Sequence, residues 1–144
     1  MIFWGLVFIA LAAMSYVRLA PVVPEDWHQQ AYPSGMGAKP GAKSYVWREP
    51  AAGDGEARFR ALADILSANP RTQVVAGSAE AGQVTFMTRS RVFGFPDFTT
   101  IGIYQGRVEE GHTRYLEVFG RARFGRSDLG VNAKRIKGWL AAVE

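Results

Sequence analysis

The stretch RYLEVFGRARF, Arg114 to Phe124, carries two interleaved sets of side chains with different characters. Side chains alternate faces along a strand. Leu116, Val118, Gly120, Ala122 and Phe124 therefore share one side, while Tyr115, Glu117, Phe119, Arg121 and Arg123 share the other. QVTFMTRSR, Gln83 to Arg91, divides in the same way: Val84, Phe86, Thr88 and Ser90 oppose Gln83, Thr85, Met87, Arg89 and Arg91. Each segment offers an apolar row suited to helices and sends an arginine pair to the other face. If the two strands are neighbours, four guanidinium groups gather on the sheet face that the helices leave bare.

Working outward, SYVWRE (Ser44 to Glu49) reads as a short strand with Tyr45 and Trp47 on one face. Asp54 or Gly55 opens a helix to about Ala68, with Phe59, Leu62, Ile65 and Leu66 as its buried stripe, and Asn69-Pro70 ends it. Strand signals follow at TQVVA (Thr72 to Ala76), at Gln83 to Phe93 and, after the turn GFPD, at Phe98 to Gln105. GRVEEGHT reads as a solvated hairpin loop. A last helix starts near Asn132, with Val131, Ile136, Trp139, Leu140 and Val143 facing inward. The expected fold is α+β: an antiparallel sheet of about four to five strands with two helices on one face.

The front of the chain is different. Ile2 to Val17 contains no charged side chain. Those residues make roughly 24 Å of helix, and adding Leu19 to Val23, with Arg18 snorkelling, brings the span to about 20 residues. The segment 1–20 is read as a transmembrane anchor. The rival, a cleaved signal peptide, wants a basic start and a small-x-small cleavage site, and neither is evident. Trp4 and Tyr16 suit the two interfaces. The flanking positive charges are the α-amino group and Arg18, which leave the positive-inside rule nearly mute. Residues 21–43 cluster glycine and proline around Pro33-Ser34-Gly35 and Lys39-Pro40-Gly41, an irregular tether or strap. Trp27, His28 and Tyr32 imply that part of it docks. Residues 44–144 form the globular domain.

All 17 Lys and Arg and all 13 Asp and Glu lie from Arg18 onward, so the net charge of +4 belongs to the part outside the apolar segment. The basic C-terminal third suits an acidic protein surface or anionic lipid rather than, for a tethered domain, nucleic acid. Cysteine is absent, so no disulfide reports the redox compartment.

The arginine pairs have three readings. One is structural, with pairing to Asp97, Asp128 or Glu117 or to turn carbonyls. The second is an anion site at Arg89, Arg91, Arg121, Arg123 and Arg126, since Arg grips phosphate and carboxylate bidentately. The third is docking on an acidic, membrane-embedded partner. In Ser-Asp-Leu-Gly-Val-Asn, Ser127 or Asp128 can satisfy free amides, Gly130 can turn left-handed and Asn132 can cap the helix, so these residues and Asp97 read as structural.

The pattern Arg-Ser-Arg-x-Phe-Gly-Phe-x-Asp (Arg89 to Asp97), then Arg-x-Arg-Phe-Gly-x-Ser-Asp-Leu-Gly-Val-Asn (Arg121 to Asn132) and a helix, resembles the domain of unknown function 1499 family of bacteria and plastids. The resemblance runs from about Tyr45 to the C-terminus. The front, an apolar helix followed by RLAP and a Trp-His pair, is similar to membrane-anchored, alphaproteobacterial-type members, which implies a periplasmic domain on the bacterial inner membrane. Arg126 departs from the pattern, because many members carry an aromatic there. The family has no agreed activity, so the resemblance implies fold and location.

Chemistry is sparse. His28 and His112 stand in unrelated loops without metal-ligand spacing, and no nucleophile elbow, phosphate loop or dinucleotide fingerprint occurs. Glu109 and Glu110 give no reason for paired-carboxylate catalysis. The expectation is a non-enzymatic domain without cofactor or metal. It would be an accessory or assembly subunit of an integral membrane complex, docking through its anchor and an Arg-rich sheet face. The alternative is a binding module for an anionic small molecule or lipid headgroup.

Overall fold

The computed structural model describes residues 1–31, 35–51, 53–106 and 114–144. His112, Glu109, Glu110, Tyr32 and most of the expected GRVEEGHT loop lie outside the described residues. In chain order the elements are α1 (Ile2–Leu19), α2 (Pro24–Trp27), β1 (Gly37–Pro40), β2 (Ser44–Pro50) and α3 (Gly55–Ala68). Then come β3 (Thr72–Ser78), β4 (Gln83–Arg89), β5 (Pro96–Gln105), β6 (Arg114–Ala122) and α4 (Val131–Ala142). The strands form one antiparallel sheet in the order β1-β2-β6-β5-β4-β3. The class is α+β as expected, but the sheet has six strands. The added one, β1, comes from the segment read as tether or strap.

Both globular helices pack on one face. Phe59, Leu62 and Leu66 of α3 and Ile136, Trp139 and Leu140 of α4 meet Val84, Phe86, Ile101, Leu116 and Val118. Each such side chain contributes roughly 1.5–3 kcal/mol on leaving water, which makes this layer the main source of cohesion. Asn69 adopts an extended conformation, as a residue before proline must, and stops α3. Gly120 lets α4 approach the sheet, since a Cβ there would lie 2.8 Å from Asn132 Oδ1 and 3.0 Å from Ile136 Cδ1. Val131, expected in the buried stripe, is exposed because it is the first residue of α4 and precedes the face that turns inward.

The opposite face is not bare, which corrects the expectation from strand alternation. Val46, Met87, Phe98 and Tyr115 on that side are buried, and residues 27–31 pack against that face. Trp27 stacks on Phe98 with centroids 4.0 Å apart and planes at 12°. His28 Nδ1 lies 2.9 Å from Thr85 Oγ1. The strap ends at a buried ion pair between cross-strand neighbours, Arg48 Nε to Glu117 Oε2 at 2.6 Å. Ala31 is held at both polar groups. Its N–H donates to Glu117 Oε1 at 2.8 Å, and its carbonyl accepts from Arg48 Nη2 at 2.9 Å. The far face was apolar enough to need this cover, and burying it satisfies the strap's own backbone.

Glu117→Leu is expected to destabilise the detergent-solubilised chain by roughly 3–5 kcal/mol, because Arg48 stays buried without its counter-charge. The Arg48→Met/Glu117→Leu double variant should recover part of that loss. Urea unfolding checks this, and a Glu117→Leu value within about 1 kcal/mol of wild type would show that the pair does not pin the strap.

Candidate functional site

The two arginine pairs are not neighbours, because β5 lies between β4 and β6. Their four members have three different fates. Arg121 is 7% exposed and spent inside the fold. It donates to Thr100 Oγ1 at 2.9 Å, to the Phe119 carbonyl at 3.1 Å and to the Trp27 carbonyl. Its guanidinium also lies over the Phe119 ring at 4.2 Å and the Trp27 ring at 5.5 Å. Burial lowers its pKa to about 10, which leaves it cationic at neutral pH. Arg121 therefore fastens the strap and offers no open binding surface.

Arg89 and Arg123 meet at the foot of α1. The last carbonyls of a helix lack intrahelical partners and carry partial negative charge. Arg89 Nη1 donates to Gly94 O at 2.9 Å and makes a long 3.5 Å contact to Val17 O in that last turn. Arg123 lies just past the end of β6, donating to Ala20 O at 3.4 Å with its charge 5.2 Å from the Phe124 ring centre. Arg18 of α1 reaches back to Val92 O at 2.8 Å. Gly94, at φ +72, leaves room for that side chain, since a Cβ would sit 3.1 Å from Arg18 Cγ. Tyr16 meets Phe124 edge to face at 6.0 Å. Helix and domain are thus clasped together. Arg91 stands in the turn after β4 and Arg126 in the bend after β6, both exposed.

Beside this clasp lies a cavity of about 390 Å³, lined among others by Arg18, Arg71, Thr72, Gln73, Arg89 and Arg91 and by no carboxylate. Strand alternation missed Arg18 and Arg71. Arg71 reaches the site because the α3–β3 turn places it next to the end of β4, with φ +57 and its carbonyl accepting from Arg89 N at 2.9 Å. Its Nε in turn donates to Arg89 O at 3.1 Å. A second, more apolar cavity of about 310 Å³ adjoins, lined by Phe95, Phe124, Leu129 and Val131 together with the Asp97–Arg135 pair at 2.6 Å. Burial raises the Asp97 pKa above its ordinary value against the pull of Arg135. Val92 (68% exposed), Phe93 (51%) and Phe95 form a protruding apolar collar at the same end of the sheet.

The sequence model of the family described as protein of unknown function (DUF1499) matches residues 28–143. The chain belongs to that family. No curated protein matches it. The DUF1499 match begins at His28, so it takes in the part of the strap pinned by Glu117 and leaves out α1.

The Ser127–Asn132 turn of this DUF1499 domain organises the start of α4. Ser127 Oγ accepts from Leu129 N at 3.1 Å. Asp128 Oδ1 accepts from Gly130 N at 2.9 Å, and Oδ2 accepts from Asn132 N at 3.2 Å and Asn132 Nδ2 at 2.8 Å. Gly130 takes the left-handed conformation expected of it, at φ +76. The capping carboxylate is Asp128, while Asn132 is inside the helix and buried. Burial alone would raise the Asp128 pKa, but the bonds from Asn132 and Gly130 outweigh it and the net shift is downward.

A folded-state pKa below the unfolded value of 3.8 means that Asp128 stabilises the fold above that pH and loses its contribution as pH falls through the folded value. Asp128→Ala should cost about 1 kcal/mol at pH 7, as for other helix-start carboxylates. The gap in melting temperature between variant and wild type should close as pH drops below about 4. A gap unchanged down to pH 2 would assign the loss to packing instead.

Proposed function

We propose that this DUF1499 chain is a single-pass membrane-anchored, non-catalytic accessory or assembly subunit, held against the bilayer and docked on an integral membrane complex. The observation that carries the reading is the clasp. α1 is apolar along its length with no buried residue, and its foot is fastened to the domain by Arg18, Arg89, Arg123 and Tyr16. At about 1.5 Å per residue, its 18 residues reach roughly 27 Å, close to the ~30 Å hydrocarbon core. Arg18 then stands at the headgroup level. The collar of Val92, Phe93 and Phe95 continues directly from that level and is exposed, as a surface meeting a membrane partner would be.

The docking surface in this reading is the collar plus the lipid-facing side of α1, where Gly5, Ala10, Ala12 and Ala13 permit close helix approach. It replaces the sheet face, whose arginines are divided between the strap and the helix foot. The domain is placed on the periplasmic side of a bacterial inner membrane, a location supported by the similarity of the front segment to anchored family members.

Two measurements test this. A photo-crosslinking residue at Phe93 is expected to capture a discrete membrane protein in native membranes, and one at exposed Arg60 on α3 is not. Lipid adducts alone at Phe93 would sink the accessory reading. The chain has no cysteine of its own, so a single Glu80→Cys reports sidedness cleanly. It should react with a membrane-impermeant maleimide once the outer membrane is permeabilised, and protection there would place the domain in the cytoplasm.

A further inference from the structure

Arg18 of α1, Arg71 of the α3–β3 turn, and Arg89 and Arg91 at the end of β4 come from three separate places in the chain and line one cavity. Among the described residues, the ion pairs are Arg48–Glu117, Arg58–Glu49, Arg114–Glu56 and Arg135–Asp97, so none of these four arginines has a carboxylate partner. Their hydrogen bonds go to neutral carbonyls: Arg18 to Val92, Arg71 to Arg89, and Arg89 to Gly94 and Val17. These bonds aim the guanidinium groups without cancelling their charge. Each guanidinium has five donors, so most remain unspent. Four like charges around a space of about 390 Å³ repel one another, and an anion in their midst reverses the sign of that interaction. Thr72 and Ser90 add hydroxyl groups to the lining.

We infer that this cavity binds a phosphate group. Planar guanidinium forks match phosphate oxygens bidentately, and several forks converging from different elements suit a tetrahedral anion better than a flat carboxylate. The source is set by position. Arg18 is in the last turn of α1, so a chain spanning the bilayer carries the cavity at the depth of the lipid headgroups. An anionic phospholipid then supplies the phosphate from the side, and a free phosphate supplies it from water. The lipid source rests on α1 spanning a membrane, whereas the phosphate chemistry needs only the cavity. Neither requires a protein partner.

The test uses the full-length chain in a neutral detergent. Its thermal unfolding midpoint is followed while inorganic phosphate, or separately a short-chain phosphatidylglycerol, is added. Saturable stabilisation that weakens with rising salt is expected. Arg71→Gln/Arg91→Gln should weaken the apparent affinity about ten-fold, the size of losing one or two charge-assisted contacts. Gln73→Glu places a carboxylate among the arginines. It should raise the ligand-free midpoint and abolish the response, and it decides the matter even if the double variant does not fold. Arg60→Gln, on α3 and outside the cavity lining, should respond as wild type. A response to the lipid identifies a headgroup phosphate, and a response to inorganic phosphate alone identifies a free anion. No saturable response to either, or equal weakening in Arg60→Gln, overturns the site.

Discussion

Glu117 has both carboxylate oxygens engaged and no contact with water: one takes the Ala31 N–H, the other the Arg48 guanidinium. A buried carboxylate is costly unless its lone pairs are met, so any arrangement that removes Ala31 leaves a charged oxygen stranded. The pair therefore specifies where the strap lies more than it adds net stability. With Ala31 fixed, Trp27 is only four residues upstream, at most about 14 Å of chain, and it lands on Phe98. There its carbonyl accepts from both Thr100 and Arg121. The chain before it then has to leave the sheet near the β4–β5 turn, which is where α1 is clasped. One buried carboxylate thus helps to set the end of the domain at which α1 is held.

The same strap sorts the arginines. Arg121, the next-to-last residue of β6, lies under the strap, where a guanidinium survives only by spending its donors on carbonyls, a hydroxyl and aromatic faces. Arg89 and Arg123 lie at or just past the strand ends, where the strap gives way to the helix foot, and they meet the carbonyls of Val17 in the last turn and of Ala20 just beyond it. Arg91 and Arg126 lie beyond the strands and remain in solvent. Arg121 and Arg123, two apart on one strand pattern, end up in different environments because Trp27 covers the first and the end of α1 meets the second.

Much of the domain was legible in the sequence. The stripe of Phe59, Leu62 and Leu66 gave α3, and the alternation of Val84 with Phe86 and of Leu116 with Val118 gave the face on which it packs. The Asn69-Pro70 stop and the left-handed Gly130 also held, because local sterics decide both. What escaped was non-local. Strand order cannot be read from alternation, so β5 between the arginine strands was not foreseen, nor was the Arg48–Glu117 register. The second face carried its own signal, since Val46, Met87 and Phe98 sit among its polar residues, and an apolar patch of that kind asks for a cover. Arg71 gave no signal at all: it follows a proline in a turn, and only the β3–β4 pairing brings it beside Arg89.

If α1 spans a membrane as proposed, a docked strap changes what such an anchor does. A flexible tether would let the domain sample a hemisphere above the membrane, and a weak headgroup contact would compete with that freedom. Here the foot of α1 is bonded to the turns that line the arginine cavity, so little orientational entropy remains to be lost when an anion enters. In the proposed reading phosphate recognition would need no high intrinsic affinity, because a membrane-spanning α1 would hold the cavity at the headgroup layer, where ionic interactions decay over about 8 Å. The exposed collar of Val92 and Phe93 would be held at the same depth, since Arg18 is bonded to the Val92 carbonyl. Apolar contact with a membrane partner and ionic contact with phosphate are then not rival uses of one surface. They are adjacent consequences of fixing the end of a helix to the end of a sheet.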